Sequence, residues 1–260
     1  MKAILAIFRK DFKTNVLTFS SFSILAVFAL LTGVFFFSDV TNYQSMFLRA
    51  AAHPEIPHPD LPSFSQAVMT PLFTNAALIL LFIVPVISMR LFAEEKRSGT
   101  LELLFTYPVS DFQIVAGKFL AAGAHLFLLF LPALINFIFF YRTVYPFEVP
   151  AFCAAFLGFF LIGFSFTSVG IFISSLSSSE TISAILTFVT LAAWWSIGFL
   201  SHLFFGDALW IKEVWVIGHL NAFARGVIEL KTVVLYVLAS GFFFFLTFLS
   251  IETRSWKQSA

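Results

Sequence analysis

Long apolar stretches without a single charge alternate with short polar segments along this chain. Six lie between Lys13 and Asp39, Asp60 and Arg90, Lys118 and Arg142, Glu148 and Glu180, Glu180 and Asp207, and Lys231 and Glu252. A helix rising ~1.5 Å per residue needs ~20 residues to cross a ~30 Å hydrocarbon core, and each stretch is long enough. The second exceeds that need, and its early part, Leu61 to Pro71, holds prolines and polar residues. Its helix is therefore placed over about residues 72–92. The others fall at about 15–38, 114–141, 150–174, 181–205 and 231–251. Runs such as FFFFLTFL are continuous rather than alternating, so they read as helices that satisfy their own backbone in lipid and not as barrel strands. The predicted fold is an all-α membrane protein, one transmembrane domain of six helices over residues 1–260.

The segments between the spans differ in character. At about 100° per residue, Ile4, Leu5, Phe8 and Phe12 gather on one face of the N-terminal segment, while Lys2, Arg9, Lys10 and Lys13 gather on the other. This predicts a surface helix over residues 1–13 with its apolar face in the acyl boundary, the alternative being an ordinary basic flank. Residues 39–71 are expected to form an external loop, too proline-rich for a long helix. Its His53, Glu55, His58 and Asp60 are metal-binding types, but they lack tight ligand spacing and read as a solvated loop. Residues 206–230 mix Trp210, Trp215, Leu220 and Phe223 with charges, which favours an interfacial or re-entrant helix over a bulky loop capping the bundle.

The connection from Arg90 to Lys118 is the most structured. Gly99 and Thr100 open a short apolar run, Leu101 to Phe105, broken at Pro108. With Gly99 as cap, Glu102 stands at the third helical position, where a carboxylate favours the positive helix end. Ser110-Asp-Phe-Gln113 then has the form of a capping box and starts the third span. A short helix with Leu101, Leu103, Leu104 and Phe105 on it, outside the membrane, needs lipid or a partner protein to cover it.

Composition sharpens the class. The chain is 60% hydrophobic and 11% charged, with 39 Phe, against about 25% charged in soluble domains. Such a chain cannot cover a water-facing surface, and a net charge of +1 excludes a nucleic-acid binder working through bulk positive charge. One cysteine excludes a disulfide scaffold. Lys2, Arg9, Lys10, Lys13, Arg90, Lys96, Arg97, Lys118, Arg254 and Lys257 fall on one side of the predicted membrane, against Arg49, Arg142, Lys212, Arg225 and Lys231 on the other. The richer side is expected to be cytoplasmic, with both termini. The first apolar stretch is longer than a signal-peptide core and no small-x-small site follows it, so it is read as an uncleaved helix.

Little catalytic chemistry is legible. Gly117-Lys118 is followed by Phe119 and preceded at the first glycine position by Phe112, so there is no P-loop. Gly163-Phe-Ser165 invites comparison with intramembrane serine proteases and fails, because Phe166 follows the serine and the last helix has no histidine. His125 and Asn136 read as structural polar residues within the third span. No carboxylate sits in mid-span, which weighs against an ion-driven carrier. Ala154 with Gly158, and Gly170 with Ser174, are small-xxx-small pairs that predict close helix or subunit contact, while Pro85 and Pro132 are expected to kink their spans.

Met89-Arg-Leu-Phe-Ala-Glu-Glu-Lys-Arg-Ser-Gly-Thr-Leu-Glu-Leu-Leu, with Tyr107-Pro-Val-Ser and Gly117-Lys-Phe-Leu, closely resembles the loop between the second and third helices of ABC-2 type transporter permeases. The gliding-motility permease subunits are the nearest likeness, and the nitrous-oxide-reductase maturation permeases are related to them. Ile173-Ser-Ser-Leu-Ser-Ser-Ser-Glu180 and Phe223-Ala-Arg-Gly-Val-Ile-Glu extend the resemblance over nearly the whole chain. It implies a permease half of an ATP-driven exporter in the bacterial inner membrane. A second permease subunit, identical or different, would pair with it, and a separate ATP-binding cassette subunit would hold ATP and Mg. This chain would then bear no cofactor, metal or catalytic residue. By position, Glu94, Glu95, Lys96, Gly99, Thr100, Leu101, Glu102 and Leu104 would couple to the ATPase, and the N-terminal surface helix would be the elbow. The rival readings are a channel or scaffold without an ATPase and, behind it, a secondary carrier.

Overall fold

A computed structural model of the chain describes residues 2–52, 62–101, 107, 109–132, 134, 135, 138, 148–204 and 213–259. All regular elements among them are helices: α1 (Lys2–Val16), α2 (Phe19–Ala52), α3 (Thr70–Arg97), α4 (Asp111–Leu129), α5 (Val149–Leu176), α6 (Glu180–Phe204), α7 (Val216–Ala224) and α8 (Leu230–Ser259). Six of these, α2 to α6 and α8, are long and apolar enough to cross a membrane. The expected all-α, six-helix architecture is therefore present.

The ends of several helices differ from expectation. Residues 39–52 belong to α2 and not to a loop, because Asn42, Gln44, Ser45 and Arg49 are polar but do not break helices, and the first proline is Pro54. At 34 residues α2 runs ~51 Å, well beyond a ~30 Å core. The prolines and the His53, Glu55, His58, Asp60 group lie outside the described residues. A π-helical turn, Ser65–Met69, leads directly into α3, which continues to Arg97 rather than ending near residue 92. Regular α4 ends at Leu129, with Phe130 N–H donating to Phe127 O three residues back. Pro132, which has no N–H and crowds the carbonyl four residues before it, explains that tightening; helical backbone resumes at Leu131, with Leu134 N–H donating to Phe130 O, so the proline interrupts the span locally.

The bundle is built around α3 and α5. Where they cross, a Cβ on Gly170 would stand 2.3 Å from Ser88 Oγ, and one on Gly163 would meet Leu126 and Leu80 at 3.1 and 3.2 Å. The predicted small-residue contact is thus made inside one chain, where absent side chains let backbones approach. Phe73, Phe130 and Phe159 fill the space beside it, with Phe130 and Phe159 edge to face at 4.6 Å. Spans α3, α4 and α5 are the buried ones, whereas α2, α6 and α8 carry most of the outward apolar surface.

At the end of the bundle away from α1, α7 packs inward against α5 and α3 through Val216, Leu220 and Phe223. A Cβ on Gly158 would stand 2.3 Å from the Phe223 ring, so the first small-residue pair serves this helix. Gly226, at φ +81°, closes α7: its N–H donates to Phe223 O and that of Val227 to Ala222 O, the paired bonds of a Schellman turn. His219 Nδ1 meets Tyr236 Oη at 2.9 Å, tying α7 to α8. Trp210 lies outside the described residues.

Candidate functional site

The end of the bundle that carries α1 holds a concentration of buried charge. Helix α1 lies against α4, and Gly117 permits it: a Cβ there would stand 2.8 Å from Ile7 Cγ2 and 3.2 Å from the Ile4 carbonyl oxygen. The protein-facing side of α1 is centred on Ile7 and Asp11, both buried. Of the four residues expected to form its apolar face, Ile4, Phe8 and Phe12 are half-buried and Leu5 is 49% exposed. The face is rotated from the expected one because the helix packs on a neighbour as well as on lipid. Asp11 projects within about 20° of Ile4, the one charge on the apolar side, and that was the available signal.

Asp11 is buried because Lys118 is. The Lys118 ammonium, 1% exposed, is 2.7 Å from Glu95 Oε2 and 3.2 Å from Asp11 Oδ2, and it donates to Leu91 O at 2.6 Å. It also lies 4.9 Å from the centre of the Phe92 ring. Glu95 Oε1 accepts from Lys10 Nζ at 2.7 Å. Two cations and two carboxylates thus form a neutral quartet joining α1, the end of α3 and the start of α4. Such a cluster survives burial only because each charge faces an opposite one. Lys10 shows the balance: partial burial alone lowers its pKa, but the hydrogen bond and charge of Glu95, with Asp11 beside it, raise it above the ordinary lysine value.

The next two residues of α3 reach elsewhere. The Lys96 ammonium donates to the Ser175 carbonyl at the end of α5. Arg97 Nη2 is 2.9 Å from Glu180 Oε1 at the start of α6. One turn earlier, Ser174 Oγ accepts from the Phe92 and Ala93 amides at 3.2 and 3.1 Å and donates to Met89 O. Three consecutive side chains therefore attach the end of α3 to α1 and α4, to α5, and to α6. Helical residues project about 100° apart, so neighbours in sequence necessarily face different partners.

Gly99, at φ +71°, stops α3, and helical backbone resumes at Thr100 and Leu101. A left-handed residue is inexpensive only for glycine. Leu101 is 3% exposed and packs with Ile7, Leu91, Phe92 and Ile114. The expectation that lipid or a partner protein covers it is therefore corrected: α1, α3 and α4 of the same chain do so. Glu94 and Thr100 stand exposed, whereas Glu102 and Leu104 lie outside the described residues. Ser110 caps α4 with the complete predicted box, its Oγ accepting from Gln113 N and its amide donating to Gln113 Oε1.

A cleft of about 220 Å3 opens beside the quartet, between α1 and the end of α3. It continues toward a small polar pocket where Ser21 Oγ and His125 Nε2 meet at 2.8 Å and Arg90 Nη1 donates to Ser20 Oγ at 2.8 Å. His125 thus has the polar neighbour a structural histidine needs. Ser165 likewise donates to Tyr236 O and contacts Ser240, a helix-joining role. Among the described residues, no group of His, Cys, Asp and Glu is arranged to hold a metal ion.

The family model described as ABC-2 family transporter protein matches residues 55–217, more than half of the chain, including the entire loop from Arg90 to Lys118. No match was found among curated proteins.

Proposed function

The chain belongs to the ABC-2 transporter family as a multi-pass membrane permease component of an ABC transporter, and from that premise we propose that it is one half of an ATP-driven exporter. A separate ATP-binding cassette subunit, holding ATP and Mg, docks on the loop after α3. A second permease subunit, the same chain or a different one, completes the pathway. The α1 end faces the cytoplasm of a bacterial inner membrane, with both termini on that side, in keeping with the excess of Lys and Arg there. The residue blocks at 89–104, 173–180 and 223–229 support a place near the gliding-motility permease subunits.

The observation that carries the coupling reading is the junction of Glu95, Lys96 and Arg97. A push delivered just beyond Gly99 meets a helix end pinned by ion pairs and hydrogen bonds to four other helices. Such an end moves its neighbours with it rather than fraying. ATP binding would favour one arrangement of the bundle by contacting it differently from the other. Because Leu101 is spent on internal packing, the docking surface belongs to the residues that follow it, Glu102 and Leu104 among them, together with exposed Glu94 and Thr100.

The test is to express the chain with its neighbouring genes, extract it in mild detergent and identify what copurifies. One ATP-binding subunit per permease, lost in Glu102→Arg while the permease stays folded, is the expected result. An ATPase-free oligomer carrying the transport activity would instead establish the channel or scaffold reading.

A further inference from the structure

Arg90 is the one cation lining the α1–α3 cleft that meets no carboxylate among the described residues. Lys10 and Lys118 are consumed by Glu95 and Asp11, and Arg97, outside the cleft, by Glu180. Arg90 gives one of its five donors to Ser20 and lines both the cleft and the pocket beyond it. A half-buried guanidinium with spare donors at the mouth of a polar cavity calls for an oxyanion, which it binds through paired hydrogen bonds.

We propose that this cleft is a binding site for a phosphodiester, seated on Arg90 between Asn15, Thr14 and Ser98, and supplied by the headgroup of a phospholipid. At about 220 Å3 it has room for roughly seven waters, the scale of a headgroup and not of a large ligand. Carboxylates bound it as well: Asp11 and Glu95 are neutralised by the lysines, while Glu94 stands unpaired among the described residues. One free cation beside one free carboxylate suits a zwitterionic diester, its phosphate on Arg90 and its ammonium facing Glu94, and disfavours a nucleotide triphosphate. The cleft is lined by α1, an amphipathic helix, and its Asn15 lies four residues before Phe19, the first residue of α2, which is 89% exposed, the setting of a headgroup site at a membrane surface. This inference rests on the membrane placement of the bundle alone and needs no ATPase.

The test uses the purified full chain, titrated with palmitoyl-oleoyl phosphatidylethanolamine or with its soluble headgroup, glycerophosphoethanolamine, and read by native mass spectrometry and thermal shift. One phospholipid per chain is expected to persist, with binding weakened about tenfold or more in Arg90→Gln and unchanged in Arg9→Gln on the exposed side of α1. Equal, Arg90-dependent binding of the soluble headgroup would keep the diester site and assign its source to solution. Should Arg90→Gln fail to fold, Asn15→Asp, which adds a negative charge to the cleft, is expected to weaken binding similarly. Wild-type protein that retains neither ligand, or variants that bind as well as wild type, would overturn the proposal.

Discussion

The Lys118 ammonium lies 2.7 Å from Glu95 Oε2 with the lysine only 1% exposed, so a single buried cation clamps the end of the second span to the start of the third. Removing one partner of such a cluster leaves an uncompensated buried charge. Lys118→Met is expected to cost about 3–5 kcal/mol. The double variant Lys118→Met/Asp11→Asn keeps the Lys10–Glu95 pair and restores neutrality, so it is expected to recover most of that loss. Thermal unfolding of both variants in detergent gives the answer, and a single variant as stable as wild type would contradict the clamp.

Gly117→Ala places a methyl group against Ile7 and the Ile4 carbonyl at distances that force α1 to move. The expected cost is about 1–3 kcal/mol. Ile7→Ala in the same chain makes room against the side chain but not against the carbonyl, so it is expected to rescue only partly. Unfolding midpoints of the two variants test this.

Arg97 is 69% exposed, and its bond to Glu180 is a surface ion pair worth little in stability, at most about 1 kcal/mol. If the junction transmits movement, Arg97→Gln lowers substrate-stimulated ATP hydrolysis in the reconstituted complex while the unfolding midpoint hardly changes. The exchange Arg97→Glu/Glu180→Arg is expected to restore it. Unaltered stimulation in the single variant would remove Arg97 from the coupling path.

His219, on the short helix α7, has its pKa lowered by burial, against the opposing pull of Glu229 and Glu213. The unfolded chain therefore takes up a proton near pH 6.5 that the folded chain refuses. Stability from this group is full above that pH and is lost as pH falls toward the depressed folded value. His219→Gln is expected to flatten the slope of unfolding midpoint between about pH 7 and 5 and to weaken the α7–α8 contact through Tyr236. An unchanged slope would show that other groups carry it.

The spans were legible because lipid leaves a chain few options: apolar runs of sufficient length must form helices. The capping box at Ser110 was legible too, since it depends on residues within one turn, whereas Gly99 was read as opening the next helix and not as the stop of α3. The length of α2 was misjudged because polar residues were read as loop, although nothing before Pro54 breaks a helix. The packing face of α1 was misjudged because projection ranks hydrophobicity and does not register that Asp11 has a buried lysine waiting for it.

The sequence by itself determined the membrane class and the number of spans, because these follow from local composition and from backbone hydrogen bonding in lipid. Only the tertiary structure decided which charges are buried together, that Leu101 turns inward, and that Glu95, Lys96 and Arg97 each face a different part of the bundle. The physical reason is range. A helix forms from contacts four residues apart, whereas the partners of this junction lie between 23 and 85 residues away along the chain and meet only once the helices have packed.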